Sequence, residues 1–119
     1  MTAYELCAWL WRKQGFVGRD QKPFTWTQIC YLVTRKVKEG HGMFYVQEGP
    51  FIRGVVVYRQ EKDGWYWIEQ ICSEGKDWMK RLYEKVQDIP DFKGLRGYLV
   101  SKGRYFTYDK DFLNRMLRV

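Results

Sequence analysis

No stretch of this sequence approaches the roughly 18 consecutive apolar residues that a bilayer-crossing helix needs, so no membrane partner is expected. Histidine occurs once, at His41, and cysteine three times, at Cys7, Cys30 and Cys72. The cysteines are far apart, which excludes the common zinc spacings. The single histidine, in the turn-like "EGHGM", has no evident serine and aspartate partners, which leaves no visible hydrolytic triad. There is no P-loop and no GxGxxG after a strand, so the familiar nucleotide-binding readings fall away. Internal repeats, low-complexity tracts and Ser/Pro-rich linkers are also missing. The chain begins with the amphipathic "TAYELCAWLWRKQ" and not with a basic stretch, an apolar core and a small-residue cleavage site, so no signal peptide is expected. An odd number of cysteines in apolar surroundings reads as free thiols in a reducing compartment, and a cytoplasmic protein is expected.

What is present is apolar and basic. Hydrophobic residues make up 45% of the 119 residues and aromatics 18%, enough for one domain with its own core. Some of that aromatic area is expected at the surface, where it often marks a contact site. The net charge is +7, and residues 93–119 carry most of it: seven basic residues against Asp109 and Asp111, a net +5. A basic end of this kind attracts phosphate groups, or is simply a solvated face.

Periodicity and capping residues divide the chain into elements. Thr2 with Glu5, and Thr25 with Gln28, have capping-box spacing, which predicts helices over 3–14 and 26–39. Strand patterns follow at 43–46, 51–59 and 65–72, with "EGP" and Asp63-Gly64 as turns, giving an antiparallel meander. Ser73 is a good cap for a third helix over 74–87. A strand is predicted at 95–100, with a further possibility at 104–108, and Asp109 caps a last helix carrying Phe112, Leu113, Met116 and Leu117. The fold class expected is α+β, a mixed and mainly antiparallel central sheet flanked by helices.

This order of elements, with the junction "IEQICSEGKDW" between the third meander strand and the next helix, resembles the GNAT superfamily of acyl-CoA-dependent N-acyltransferases over roughly residues 1–108. In size and charge the chain is also similar to small phage-encoded members. The resemblance implies a single GNAT-like domain, acetyl-CoA as cofactor and an amine as acceptor. It further implies that Ile71, Cys72, Ser73, Gly75 and Lys76 meet the cofactor, with the diphosphate at a helix N-terminus, where free N–H groups and the helix dipole favour an anion. Glu69 corresponds to the glutamate that some members carry as general base near the splayed end of this strand. It alternates onto the face of Trp65, Trp67 and Ile71, an apolar setting of the kind that increases a carboxylate's basicity. Tyr105, with Tyr108 as a further candidate, corresponds to the family's general acid to the leaving thiolate. "CSEGKDW" departs from the family's phosphate loop: it has one glycine, and acidic Glu74 and Asp77 lie close to the anion's place.

Each of these residues also has a plainer reading. Glu69 reads equally as a polar residue on a half-exposed strand, and "SEGK" as an ordinary helix start. The alternative function is a non-catalytic GNAT-like module that binds a protein or nucleic-acid partner. Its contacts would be Arg96, Lys102 and Arg104, interleaved with the aromatics of "KGLRGYLVSKGRYFTYDKDF".

Overall fold

The computed structural model describes residues 2–36, 41–75 and 77–117. Helix α1 (Ala3–Lys13) starts where the Thr2 hydroxyl accepts the Glu5 N–H at 3.1 Å. It ends at Gln14, whose left-handed backbone (φ 49) directs its N–H to the carbonyls of Leu10 and Trp11. Helix α2 (Trp26–Tyr31) opens with a reciprocal capping box: Gln28 N–H donates to Thr25 Oγ1 and Thr25 N–H to Gln28 Oε1. After Tyr31 the helix widens into a π-type turn over Leu32–Lys36. The rest of the span expected for this helix, 37–39, lies outside the described residues.

The meander forms as expected from β1 (His41–Glu48), β2 (Phe51–Gln60) and β3 (Trp65–Ser73), each antiparallel to the next. Helix α3 (Trp78–Val86) then carries the chain across to β4 (Gly94–Leu99), which lies parallel to β3. The segment at 104–108 is a strand, β5 (Arg104–Asp109), antiparallel to β4. The sheet order is β1-β2-β3-β4-β5, and α4 (Lys110–Leu117) follows, its Phe112 N–H held by Asp109 Oδ1 at 2.8 Å. The class is α+β, with a five-stranded mixed sheet flanked by four helices, and it is compatible with the GNAT-like order. One start is corrected. Helix α3 begins at Trp78 with Asp77 at its cap position, and Ser73 is the last residue of β3.

Each face of the sheet has its own core. Val55 and Val57 of β2 and Cys72 of β3 meet Leu6, Leu10, Ile29 and Leu32 from α1, α2 and the turn after α2. Val56, Tyr66, Ile68 and Leu95 meet Leu82, Tyr83 and Val86 of α3 and Leu113 of α4 on the other face. The alternation along Val55-Val56-Val57 is the strand period read out as burial, since all three are fully buried on opposite faces. Burying each such side chain contributes on the order of 1.5–3 kcal/mol. Gly15 lets the end of α1 touch β3, because a Cβ there would overlap Cys72 Sγ.

Candidate functional site

The register of β3 creates the site. Along β2, Val57 pairs with Gln70 but Tyr58 pairs with Ile68, so Glu69 is the extra residue of a β-bulge. Glu69 and Gln70 therefore project toward the same face, that of α1 and α2. Glu69 reaches Arg59 Nη1 at 3.4 Å, and Gln70 exchanges two hydrogen bonds of 3.3 Å with the backbone of Val17. The bulge corrects the expected alternation. Ile71 packs with the core on the α3 side, opposite Glu69, while Cys72 packs with the α1 side. The surroundings of Glu69 are also less apolar than expected. Arg59 stands beside it, and Arg59 is 3.8 Å from Glu61, which in turn pairs with Arg96 at 2.7 Å.

Strands β3 and β4 pair only from Trp65/Gly94 to Ile68/Gly97. Beyond that point β3 runs on to Ser73 and β4 to Leu99, with no pairing between them among the described residues. The result is a cleft of about 270 Å³ between Ile68, Glu69, Gln70 and Ile71 on one wall and Tyr98, Leu99 and Val100 on the other. Gly97 allows the crotch to be this tight, since a Cβ there would lie 2.8 Å from the Ile68 carbonyl oxygen. The loop after α1 covers the cleft through Gly15, Val17 and Gln21. Gln21 Nε2 donates to the Val100 carbonyl at 2.9 Å, tying that loop to the end of β4.

Tyr105 does not line this cleft. It stands 60% exposed on β5, its ring 5.0 Å from Tyr98 and 6.1 Å from Trp67. Tyr98, which sequence reasoning passed over, is the tyrosine that borders the cleft. Arg19 lies over both rings, at 4.8 Å from Tyr98 and 5.8 Å from Tyr105. Arg59, Gln70 and Gln21 were missed as well, because their roles arise from pairing and loop closure and not from any motif.

The junction after β3 uses its described polar groups within the chain. Ser73 Oγ donates to the Gly75 carbonyl and accepts the Gly75 N–H, so this N–H is already used inside the turn. Glu74 pairs with Lys13 and, at 3.0 Å, with Arg53. Both cations hold its carboxyl below the usual carboxylate range. Asp77 stands at the start of α3 and accepts from Arg81 at 2.8 Å. Lys76 lies outside the described residues. A diphosphate would thus meet two carboxylates at this helix start, and the described residues do not fit that end of coenzyme A. Cys72 is buried, and burial pushes its thiol up, which disfavours the thiolate.

Of the three cations expected to meet a partner, Arg96 is committed. It pairs with Glu61 and with Asp63, at 2.7 and 2.9 Å, and lies over the Trp65 ring. Lys102 and Arg104 stand exposed at the turn between β4 and β5. No helix among the described residues is long and apolar enough to cross a membrane, and no group of three metal-ligating side chains occurs among them. Comparison of the chain with protein-family models, curated proteins and solved structures finds no match.

Proposed function

We propose that the β3/β4 cleft receives the pantetheine arm of an acyl thioester, acetyl-CoA in the simplest case, and that the chain transfers the acyl group to an amine. The observation that carries this reading is the parting of two parallel strands after Ile68 and Gly97, beside a bulge that presents a carboxylate. An acyl thioester supplies an activated carbonyl carbon and a thiolate leaving group. Strand edges beyond the crotch offer N–H and C=O groups to the amides of the arm, as one strand does to the next. Glu69 would take a proton from the attacking nitrogen as the C–N bond forms. The Tyr98 phenol, on the opposite wall, would supply the proton that the sulfur needs as the C–S bond breaks.

The acidic start of α3 favours a second reading, a GNAT-like module that binds a partner without catalysis. Lys102, Arg104, Arg19 and the exposed Tyr105 would then be its contacts, with phosphates neutralised by the cations and a base stacked on the ring. Calorimetric titration with acetyl-CoA and with S-acetyl-pantetheine separates the two readings. Because the described residues at the start of α3 do not fit the diphosphate, the two thioesters should bind within about tenfold of each other, a difference of no more than about 1.4 kcal/mol. Failure of both to bind would remove the acyltransferase reading and leave the partner-binding one. Binding of acetyl-CoA alone would show that the diphosphate is held after all.

A further inference from the structure

One part of the sheet has a core on a single face. In β3, β4 and β5 the side chains of Tyr66, Ile68, Leu95 and Phe106 pack on the α3/α4 side. By strand alternation their neighbours Trp65, Trp67, Arg96, Tyr98, Tyr105 and Thr107 project from the opposite face. The core under α1 and α2 takes its sheet residues from β1, β2 and Cys72 at the far end of β3, so it stops short of this region. Trp65, Trp67, Tyr98 and Tyr105 belong to neither core. The register sets these rings side by side. Trp67 pairs with Arg96 and Arg96 with Thr107, and one step along the strands Tyr98 pairs with Tyr105. The Tyr105 ring lies 5.0 Å from Tyr98 and 6.1 Å from Trp67, which joins three strands in one aromatic surface.

The two ends of this surface differ in charge. At the Trp65 end, Glu61 and Asp63 are held by Arg96. At the Tyr105 end stand Arg19, Lys102 and Arg104, all exposed, and among the described residues none of the three is ion-paired with a carboxylate. Arg19 lies over the Tyr98 and Tyr105 rings. Exposed rings beside uncommitted cations match a ligand that carries a phosphate and a flat ring in every unit. A duplex keeps its base faces stacked inside and offers only edges and phosphates, whereas a single strand presents the faces themselves.

We infer that this open face of β3, β4 and β5 binds single-stranded nucleic acid, with bases stacked on Trp67 and Tyr105 and phosphates at Arg19, Lys102 and Arg104. The inference rests on the partner-binding reading for the role of the cations, and it gives that reading its class of partner. The acyl chemistry of the cleft is not needed for it.

The test is fluorescence anisotropy of the whole protein with labelled oligothymidylate and oligouridylate of about 12 nucleotides. The controls are the oligothymidylate annealed to its complement and a polyphosphate, which has no bases. A single strand should bind about tenfold or more tightly than either control at the same salt, and the tighter of the two strands identifies the sugar recognised. Charge alone would give the reverse order, because the duplex is the denser anion. Tyr105→Ala, at an exposed position, should weaken single-strand binding by about fivefold to a hundredfold, the range of one base stack, and leave the salt slope unchanged. Lys102→Ala together with Arg104→Ala should flatten the log-log salt slope by about 1.4, at about 0.7 for each phosphate contact. Backbone amide shifts on adding the strand to the unaltered protein should cluster at 65–67, 96–98 and 104–107, a measurement that needs no variant to fold. Shifts confined to other surfaces, or full affinity in Tyr105→Ala, would overturn the proposal. Duplex or polyphosphate binding as tightly as the single strand would overturn it too, and leave the partner-binding reading with a plain phosphate ligand. So would the absence of any nucleic-acid binding, which would leave that reading a protein partner. Acyl transfer from acetyl-CoA alongside single-strand binding would instead remove the non-catalytic reading and leave the face standing.

Discussion

At the scale of single residues the molecule turns on Glu69. Its strand neighbours Ile68 and Ile71 belong to the core on the α3 side, yet its own carboxylate faces the opposite side with Arg59 at 3.4 Å. The bulge explains why: one extra residue in β3 lets two successive side chains share a face, and the second of them, Gln70, is tied to Val17. The carboxylate is therefore held by backbone geometry, and its pairing with Arg59 is half-solvated and worth little to stability, about 0–1 kcal/mol. Glu69→Gln should accordingly leave the urea midpoint close to that of the parent and preserve thioester binding. On the acyltransferase reading, acyl transfer should fall by about 10²–10⁴-fold, the usual contribution of a positioned general base. Single-turnover rates with S-acetyl-pantetheine and a primary amine measure the effect. An unchanged rate would exclude Glu69 from the chemistry.

At the scale of elements, much of the fold was readable because it is written in periodicities and caps. Thr2, Thr25 and Asp109 announce their helices by side chains that bond to the backbone three residues on. Asp63-Gly64 announces the β2–β3 hairpin, and Gly64 takes a positive φ there. Ser73 misled, since a serine before a polar run has the same appearance as a cap. Its hydroxyl is engaged by Gly75, in a turn that delays the helix to Trp78. The candidate site was much less readable. A bulge shifts register without any residue signature, so alternation counted from Trp65 placed Ile71 on the wrong face. A splay between two strands is likewise a property of their pairing, and neither Tyr98 nor Gln21 carries a local mark of it. Gly97 is where element and site join. With alanine there, the added Cβ would stand 2.8 Å from the Ile68 carbonyl and 2.9 Å from the Phe106 ring. Strands β3 and β4 would have to part earlier. Gly97→Ala should therefore cost about 1–3 kcal/mol, as overpacking commonly does, and should weaken S-acetyl-pantetheine binding along with stability. A parental urea midpoint would show that the crotch yields freely and that glycine is not required there.

At the scale of the whole molecule, titratable groups inside the two cores set how stability depends on pH. On the α1/α2 side the Cys7 thiol is pushed up from 9.0 to about 11, by burial first and then by its neighbour Cys30. On the α3/α4 side the phenols of Tyr66 and Tyr83 are raised from 10.0, again by burial first, with Tyr58 adding to the one and Asp111 and Asp88 to the other. All three hold their protons more tightly in the folded chain than in the unfolded one. Their contribution is fully present below the unfolded values, and it declines as pH rises through 9 and 10 toward the folded ones. In that window the unfolded chain has already released protons that the native state retains, so the slope of stability with pH is negative. Glu74 acts in the opposite direction. Lys13 and Arg53 lower its folded value, so its contribution is present above the unfolded 4.5 and is lost as pH falls. The urea midpoint should thus be flat through neutrality and decline steadily from about pH 9 upward. Cys7→Ala should lessen the first part of that decline, between 9 and 11, and leave the parts due to the buried Cys72 and to the two tyrosines in place. Both cores would then be seen to lose stability by the same cause at different onsets. A midpoint that stays level to pH 11 in the parent protein would mean that these side chains are solvated, which would contradict the burial that defines both faces of the sheet.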